Sequence, residues 1–401
     1  MNRKYILIGL LVCITGIFSG CHSWLDVQPE DQVTDGQLFS TESGFRTALN
    51  GIYVELSNNA LYGGELSVDA VEILAQRYDF SGNTTNAYRL GTYNYTIDYA
   101  KSKFAAVWEK AYSLIANCNK LLEYAEKNEE VLTGKMRKMI IGEAMALRAF
   151  LHFDMLRLFG PVYATNKADL SIPYNTVYSI SATSLLPATQ VVEKVLKDLD
   201  EAERLLGESD PIIEEGPQNQ DSEDGLNYYT YRTQRLNYYA VKALMARVYL
   251  WAGQTPKAGN IANELIAHPL LGTNRILFRL YSDKITTMSD DYFTVNSENN
   301  LQLSLSQNQR KEFYETEKYE SSDNRIPSWL ILNPNTIESD ANTGRYFVSK
   351  YNQNGPMNQG IPLLRMTEIQ YICAECQAEP AKGLDYLNTV RHEYGIPAAF
   401  D

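Results

Sequence analysis

Apolar residues recur at helical spacing along most of this 401-residue chain, and this periodicity restricts the fold more than any other feature. In the first such segment, apolar side chains fall at i, i+3, i+4, i+7, i+8 and i+11, which places them on one helix face. A Ser-Thr pair before them is typical of a helix start. The residues of this face are Phe45, Ala48, Leu49, Ile52, Tyr53 and Leu56. The pattern predicts an amphipathic helix over residues 41–57.

The same periodicity predicts further helices that pack side by side. Gly160-Pro161 ends one apolar stripe and Gly253 ends another, as helix terminators do. Because short connections join long helices, sequence neighbours are expected to be antiparallel. These helices are predicted at residues 103–127, 135–159, 188–206, 236–252, 257–267, 362–377 and 380–394.

Small residues on two of these helices, Gly142 and Ala144 on one and Ala243 and Ala246 on another, indicate close helix crossings. Tetratricopeptide-type helix pairs use such crossings, although no strict period of about 34 residues is present. We therefore predict a mostly α fold, a degenerate tetratricopeptide-like helical repeat scaffold with a large irregular, loop-rich lobe. The scaffold is assigned to residues 41–57, 103–159, 188–268 and 362–394, and the lobe mainly to 58–100 and 269–361.

The N-terminus predicts export and lipidation. Two basic residues precede an apolar run from Tyr5 to Phe18, and Gly20-Cys21 follows. This is the order of a secretory signal, and the run is shorter than the roughly 20 residues that a membrane-spanning helix needs. Lipoprotein processing cuts before such a Cys. We therefore assign residues 1–20 to a signal peptide, Cys21 to the lipid anchor, and residues 21–401 to a single domain.

Charge and motif content disfavour several classes of function. A formal net charge of −13 disfavours nucleic acid, because phosphate binding needs a basic surface. The four histidines lack metal-ligand spacing, Cys373 and Cys376 have no accompanying ligand pair, and no nucleotide or hydrolase motif is present. We therefore expect no metal, no cofactor and no catalysis. Asp69 and Glu72, one helical turn apart, keep a glycoside hydrolase open as an alternative.

Tyrosine is abundant, with 28 Tyr against 13 Phe, and it is concentrated in the irregular segments. An aromatic ring presents a flat apolar face and Tyr or Trp adds a polar edge, which suits the C–H face and hydroxyl rim of a sugar. For any single ring, packing of a loop on a helix is the competing explanation. The first candidates for ligand contact are Tyr78, Phe80, Tyr93, Trp329 and Tyr351.

Several segments, in order along residues 21–394, carry a family resemblance. They are Cys21-His-Ser-Trp-Leu-Asp-Val-Gln-Pro29, Ala48-Leu-Asn-Gly-Ile-Tyr53, Glu143-Ala-Met-Ala-Leu-Arg-Ala-Phe150, Asp154-Met-Leu-Arg-Leu-Phe-Gly-Pro-Val162, Ala243-Leu-Met-Ala-Arg-Val-Tyr-Leu-Trp-Ala-Gly-Gln254 and Leu387-Asn-Thr-Val-Arg391. Together these segments resemble the SusD/RagB family of outer-membrane nutrient-binding lipoproteins.

The resemblance implies a lipid-anchored, surface-exposed protein of the outer membrane that binds oligosaccharides or related nutrients without catalysis. It also implies a partner, a SusC-like TonB-dependent outer-membrane transporter, over which the lipoprotein sits as a lid. The matching motifs belong to the scaffold, so no ligand contact is carried over by position. Arg148, Asp154, Arg157 and Arg247 in them are interpreted as structural. The alternative is a scaffold lipoprotein that binds only other proteins.

The last predicted helix pair is followed by few residues, whereas similar family members continue. Leu384, Leu387 and Val390 lie on an apolar face that needs cover. Either part of residues 269–361 folds back over it, or the chain is a shortened product with an exposed patch. We favour shortening at this point.

Overall fold

A computed structural model describes residues 33–80, 85–218, 221, 227–272, 275–293, 303–332, 344–351 and 359–398. The predicted signal peptide, residues 1–20, and the lipid-anchor residue Cys21 lie outside these ranges.

The described part of the chain is mostly α-helical, which confirms the predicted fold class. Its helices are α1 (Asp35–Leu38), α2 (Glu42–Leu56), α3 (Ala70–Leu74), α4 (Asn86–Gly91), α5 (Asp98–Lys127), α6 (Gly134–Phe159), α7 (Tyr163–Asn166), α8 (Ala188–Gly207), α9 (Ile212–Glu215), α10 (Tyr238–Trp251), α11 (Thr255–Ala267), α12 (Ile285–Phe293), α13 (Gln307–Tyr314), α14 (Thr316–Tyr319), α15 (Arg325–Trp329), α16 (Met366–Glu375) and α17 (Pro380–Glu393), with a 3₁₀ turn at Arg232–Gln234.

The long helices form the scaffold, and sequence neighbours pack on each other: α5 on α6, α6 on α8, α10 on α11, and α16 on both α11 and α17. Two glycines illustrate how closely these helices approach. A Cβ at Gly142 would lie 2.9 Å from Leu206 Cγ, and one at Gly259 would lie 2.9 Å from Cys376 Cβ. The small residues therefore do mark close helix contacts, and Cys376 packs against the glycine of a neighbouring helix.

Short strands join the scaffold to the irregular lobe. The described strands are β1 (Ile276–Tyr281), β2 (Ser304–Leu305), β3 (Leu330–Leu332), β4 (Tyr346–Val348) and β5 (Gly360–Arg365). β1 pairs antiparallel with β5, and β2, β4 and β3 form a second antiparallel sheet in that order.

One predicted helix boundary is wrong. The helix predicted over 362–377 begins only at Met366, because residues 360–365 form β5 and pair with β1. Pro362 lacks a backbone N–H, and the residue before a proline favours extended backbone, so both features suit a strand at this point. The apolar run Ile361 to Leu364 fits a buried strand as well as a helix, and only the distant partner β1 decides between them.

Part of the lobe covers the last helix. The backbone N–H of Asn324 donates to Tyr394 O at 2.9 Å, and the Arg391 guanidinium lies 5.0 Å from the Tyr319 ring centroid. Val390 is buried beneath this contact, whereas Leu384 and Leu387 are half-buried. Of the two alternatives for the apolar face of the last helix, the structure thus shows the first around Val390: part of residues 269–361 folds back over it.

His152 is a buried neutral histidine in the middle of α6. Its Nδ1 lies 2.8 Å from Arg148 O, and its Nε2 accepts a hydrogen bond from Asn175 N at 3.0 Å. Arg148 is itself bound to Asp198 through both Nε and Nη2, at 2.7 and 2.8 Å, so it is structural as interpreted from the sequence. Burial lowers the pKa of His152 to about 3.

We expect His152 to make the fold less stable in mild acid. The pKa of His152 is lower in the folded chain than the unfolded value of about 6.5, so the unfolded chain takes up its proton first. Stability from this residue is complete above pH 6.5 and falls by up to about 1.4 kcal/mol per pH unit below it. Urea unfolding between pH 5 and 6.5 should show a shallower pH dependence for His152→Gln; equal slopes would contradict this.

Candidate functional site

A large cavity lies between the scaffold and the lobe. It has a volume of about 720 Å³, and a second cavity of about 310 Å³ adjoins it. We call the two together the lobe cleft. The residues that line both parts are Ser67, Glu72, Trp329, Lys350, Tyr351 and Arg365. One side of the cleft is formed by the C-terminal ends of α6 and α10, and the other by the lobe and β5.

The scaffold side of the lobe cleft is polar and held in place. Arg247 on α10 donates to both carboxylate oxygens of Glu368 at 2.6 Å and to Leu363 O at 2.7 Å, which ties α10 to β5 and α16. Asp154 on α6 accepts from the Tyr62 hydroxyl at 2.7 Å. Burial, followed by the nearby Asp154, raises the pKa of Tyr62 well above its usual range, so the phenol stays a donor.

The lobe side of the cleft is aromatic. Tyr351 is almost fully buried, and its ring stacks on Phe293 with centroids 6.2 Å apart and planes 9° apart. Tyr78 also packs near Phe293, with ring centroids 6.2 Å apart, and donates its hydroxyl to Val68 O at 3.0 Å. Trp329 is only half-buried. The lobe side of the cleft therefore combines packed, buried rings with one more exposed tryptophan.

A cation lies beside these rings. Lys350 Nζ is 4.8 Å from the Tyr351 centroid and 6.0 Å from the Trp329 centroid. Arg365, also exposed, precedes α16 at the seam between the two cavities. Sequence reasoning missed both residues. The position of Lys350 directly before Tyr351 is the one signal that could have drawn attention to it.

The structure brings together three of the five aromatic residues predicted from the sequence. Tyr78, Trp329 and Tyr351 line the lobe cleft, and Phe80 and Tyr93 do not. Phe80 is half-buried against α4, where a Cβ at Gly91 would lie 2.8 Å from its ring. Tyr93 is exposed, with its hydroxyl donating to Leu74 O at 3.2 Å. Each of these two rings therefore packs against other residues of its own irregular segment, residues 58–100.

The two carboxylates suggested as a catalytic pair, Asp69 and Glu72, do not line the same cavity. Asp69 is buried and, with Glu65, binds Lys103 Nζ, each at 2.5 Å. Glu72 instead lines the lobe cleft, 4.0 Å from Arg77. Burial, and then the neighbouring Asp69, raises the pKa of Glu65. A glycosidase needs two carboxylates on either side of one bond, and this pair is divided between a buried ion cluster and the cleft wall.

Two further searches of the described residues give negative results. Within those ranges, no three His, Cys, Asp or Glu side chains are placed to hold a metal ion. Among the helices whose placement is described, none has both the length and the apolar character that crossing a membrane requires.

Residues 23–217 match a family model described as starch-binding and associating with the outer membrane, in the SusD-like group. Among curated proteins, a SusD-like protein of Formosa agariphila is 28% identical over 208 residues, which are 51% of this chain and 38% of that protein. A second SusD-like protein of the same organism is 23% identical over 206 residues. The matched region thus spans well under half the length of these curated relatives.

Solved structures share the fold over most of the chain. A SusD superfamily protein from Bacteroides thetaiotaomicron matches with a TM-score of 0.66 at 20% identity, over 88% of this chain and 81% of that one. A SusD-like carbohydrate binding protein from Bacteroides vulgatus gives 0.66 at 18% identity, over 90% and 77%. Surface glycan-binding protein A from Bacteroides uniformis gives 0.64 at 16% identity, over 89% and 82%. Residues 23–217 thus resemble the SusD-like family, and the tetratricopeptide-like helical fold of the chain is that of SusD superfamily proteins.

Proposed function

We propose that this chain is an outer-membrane lipoprotein that captures oligosaccharides in the lobe cleft and passes them to a TonB-dependent transporter, without changing them chemically. The family description, starch-binding and associating with the outer membrane, supports the class of ligand and the compartment. Relatives described as carbohydrate binding and as surface glycan-binding share the fold.

The observation that best supports the proposal is that the lobe cleft has both an aromatic wall and polar groups. Trp329 offers a half-buried aromatic ring in the cleft lining, and Tyr351, which stacks on Phe293, offers a second. Glu72, Lys350 and Arg365 supply donors and acceptors at the seam for sugar hydroxyls. A sugar needs one apolar face to stack on and polar groups around its rim, and the lobe cleft offers both.

Several features support binding without catalysis. Glu72 lines the lobe cleft while Asp69 is bound to Lys103 outside it. Asp154, Glu368 and Glu375 also line the cleft. Asp154 is bound to Tyr62 and Arg157, and Glu368 is bound to Arg247. Asp154 and Glu368 are therefore already paired with groups of the protein.

The test of the ligand class is a glycan array probed with the purified full-length chain in detergent. Binding to a defined group of oligosaccharides, confirmed by calorimetry with no change in the recovered glycan, is the expected result. Cleavage of the bound glycan would show an enzyme. An array with no bound glycan, together with capture of a purified TonB-dependent transporter, would instead favour a scaffold that binds only proteins.

The lipid anchor has its own test. We expect Cys21→Ala to abolish fatty-acid labelling and to release the chain from the membrane, because no described helix could hold it there. Metabolic labelling with a clickable fatty acid, followed by membrane fractionation, measures both. Cys118→Ala is the matched control, since that thiol is buried in α5. Undiminished label in Cys21→Ala would contradict the assignment.

A further inference from the structure

A second large cleft lies apart from the lobe cleft. It has a volume of about 630 Å³ and lies between α2, residues 227–235 and the end of β1. We call it the α2 cleft. It shares no described lining residue with the lobe cleft. The buried Phe278 lies between them, with its centroid 6.3 Å from Phe150 of the lobe cleft and 6.2 Å from Tyr53 of the α2 cleft.

The floor of the α2 cleft is fixed by a buried network. The hydroxyls of Tyr53 and Tyr228 both donate to Glu143, at 2.8 and 3.2 Å. The Arg235 guanidinium lies 4.3 Å from the Tyr228 centroid and 5.2 Å from that of Tyr53, and it donates to Asn50 Oδ1 at 2.5 Å. The floor side chains are therefore held in place before any ligand arrives, which lowers the entropy cost of binding.

The walls of the α2 cleft carry the groups that recognise hydroxyls. Thr47, Asn50 and Gln234 present hydroxyl and amide groups, and Tyr281 at the end of β1 is 43% exposed. Arg46, one turn before Asn50 on α2, forms no ion pair with any residue that the structure describes. A guanidinium fork reaches two neighbouring oxygens at once, and vicinal sugar hydroxyls have that spacing.

We propose that the α2 cleft is a second saccharide-binding site, which takes a short segment of oligosaccharide with one sugar ring on Tyr281 and its hydroxyls on Arg46 and the amides. The inference that the ligand is a saccharide rests on the function proposed for the lobe cleft. The inference that the α2 cleft is a binding site does not depend on that function. A protein partner is disfavoured by the lining, because the centres of protein interfaces are apolar and here Val54 is the exposed aliphatic residue among the described ones.

Two sites on one chain have a consequence for long glycans. A polymer that reaches both clefts is held at two points, so its second contact forms at a high effective concentration. A glycan too short to span the clefts binds each of them independently. The chain therefore favours long glycans over fragments of the same sugar.

The two clefts can be observed separately. Trp251 and Trp329 line the lobe cleft, and the described lining of the α2 cleft contains no tryptophan. Tryptophan fluorescence thus reports occupancy of the lobe cleft, while calorimetry counts both sites. The probes are maltoheptaose, laminariheptaose and xylohexaose, titrated into the full-length chain in detergent.

For a probe that binds, we expect calorimetry to give two sites and fluorescence to saturate at one. Tyr281→Ala and Arg46→Gln should each remove the second site, or weaken it at least fivefold, and leave the fluorescence isotherm within twofold. Tyr178→Ala is the matched control, because this ring is 45% exposed and lines neither cleft. Both signals should stay unchanged in that control.

The outcomes separate the two proposals. If Trp329→Ala removes all calorimetric binding, or if Tyr281→Ala and Arg46→Gln leave the number of sites and both affinities unchanged, the α2 cleft is not a saccharide site. If Trp329→Ala changes nothing while Tyr281→Ala removes binding, the lobe cleft is misassigned and the α2 cleft stands. A chain that binds none of the three probes overturns both.

Discussion

Replacing Arg232 with methionine is expected to lower the free energy of unfolding by about 3–5 kcal/mol. The Arg232 side chain is almost fully buried and donates to Glu143 at 2.6 Å and to both oxygens of Asp210, at 2.9 and 2.8 Å. Methionine fills much of the same space but leaves two buried carboxylates short of a cation. That cost is far larger than the loss of a surface ion pair.

Arg204→Met is the matched control for this prediction. Arg204 also binds two carboxylates, Glu201 and Glu208, but its side chain is 53% exposed. We expect a much smaller loss there, because water screens the ion pairs of an exposed side chain. Urea unfolding of the three proteins at pH 7 measures both effects. Similar losses for the two variants would contradict the prediction. They would show that Arg232, Glu143 and Asp210 contribute little to holding the 3₁₀ turn and α9 against α6.

The second large effect concerns the ligand. Trp329→Ala and Tyr351→Ala should each weaken oligosaccharide binding by about 1–2 kcal/mol, roughly five- to thirtyfold, because each removes aromatic surface from the lobe cleft. Trp329 is half-buried and its ring packs on Tyr394, with centroids 5.5 Å apart, so its replacement should cost less stability than that of the almost fully buried Tyr351. Calorimetric titration with a glycan identified on the array gives the affinity.

Phe80→Ala and Tyr93→Ala are suitable controls, since both rings were candidates from sequence and neither lines the lobe cleft. Their affinities should stay within twofold of the unchanged chain. A loss of affinity in Tyr93→Ala that equals the loss in Trp329→Ala would move the site to the exposed ring of residue 93. Unfolding curves of each variant separate a binding defect from a folding defect.

The scaffold could be predicted from the sequence because its signals are local. Apolar spacing and end signals predicted α6 over 135–159, and it is observed at Gly134–Phe159. Gly142 marks a contact between helices that its small size already suggested, whereas Gly259 marks one that was not singled out from the sequence. β5 was missed because strand formation there depends on β1, about 80 residues away in the chain, and no local pattern reports that pairing.

The candidate site could be predicted only in part, for a related reason. Aromatic residues in irregular segments pointed to the lobe, but the sequence does not show which rings pack their own loop and which line a cleft. The Tyr93 hydroxyl donates to Leu74 O within the same segment, whereas Trp329 and Tyr351 line a cleft formed by segments far apart in sequence. Arg247 and Asp154 were interpreted as structural, and they are paired, yet both also line the cleft.

The central proposal is that oligosaccharides bind between the scaffold and the lobe. The most direct measurement is a crystal structure of the chain with an oligosaccharide that the array identifies. We predict a sugar ring in van der Waals contact with Trp329 or Tyr351, with its hydroxyls bonded to the polar residues at the seam. A saccharide bound with the lobe cleft empty would contradict that proposal.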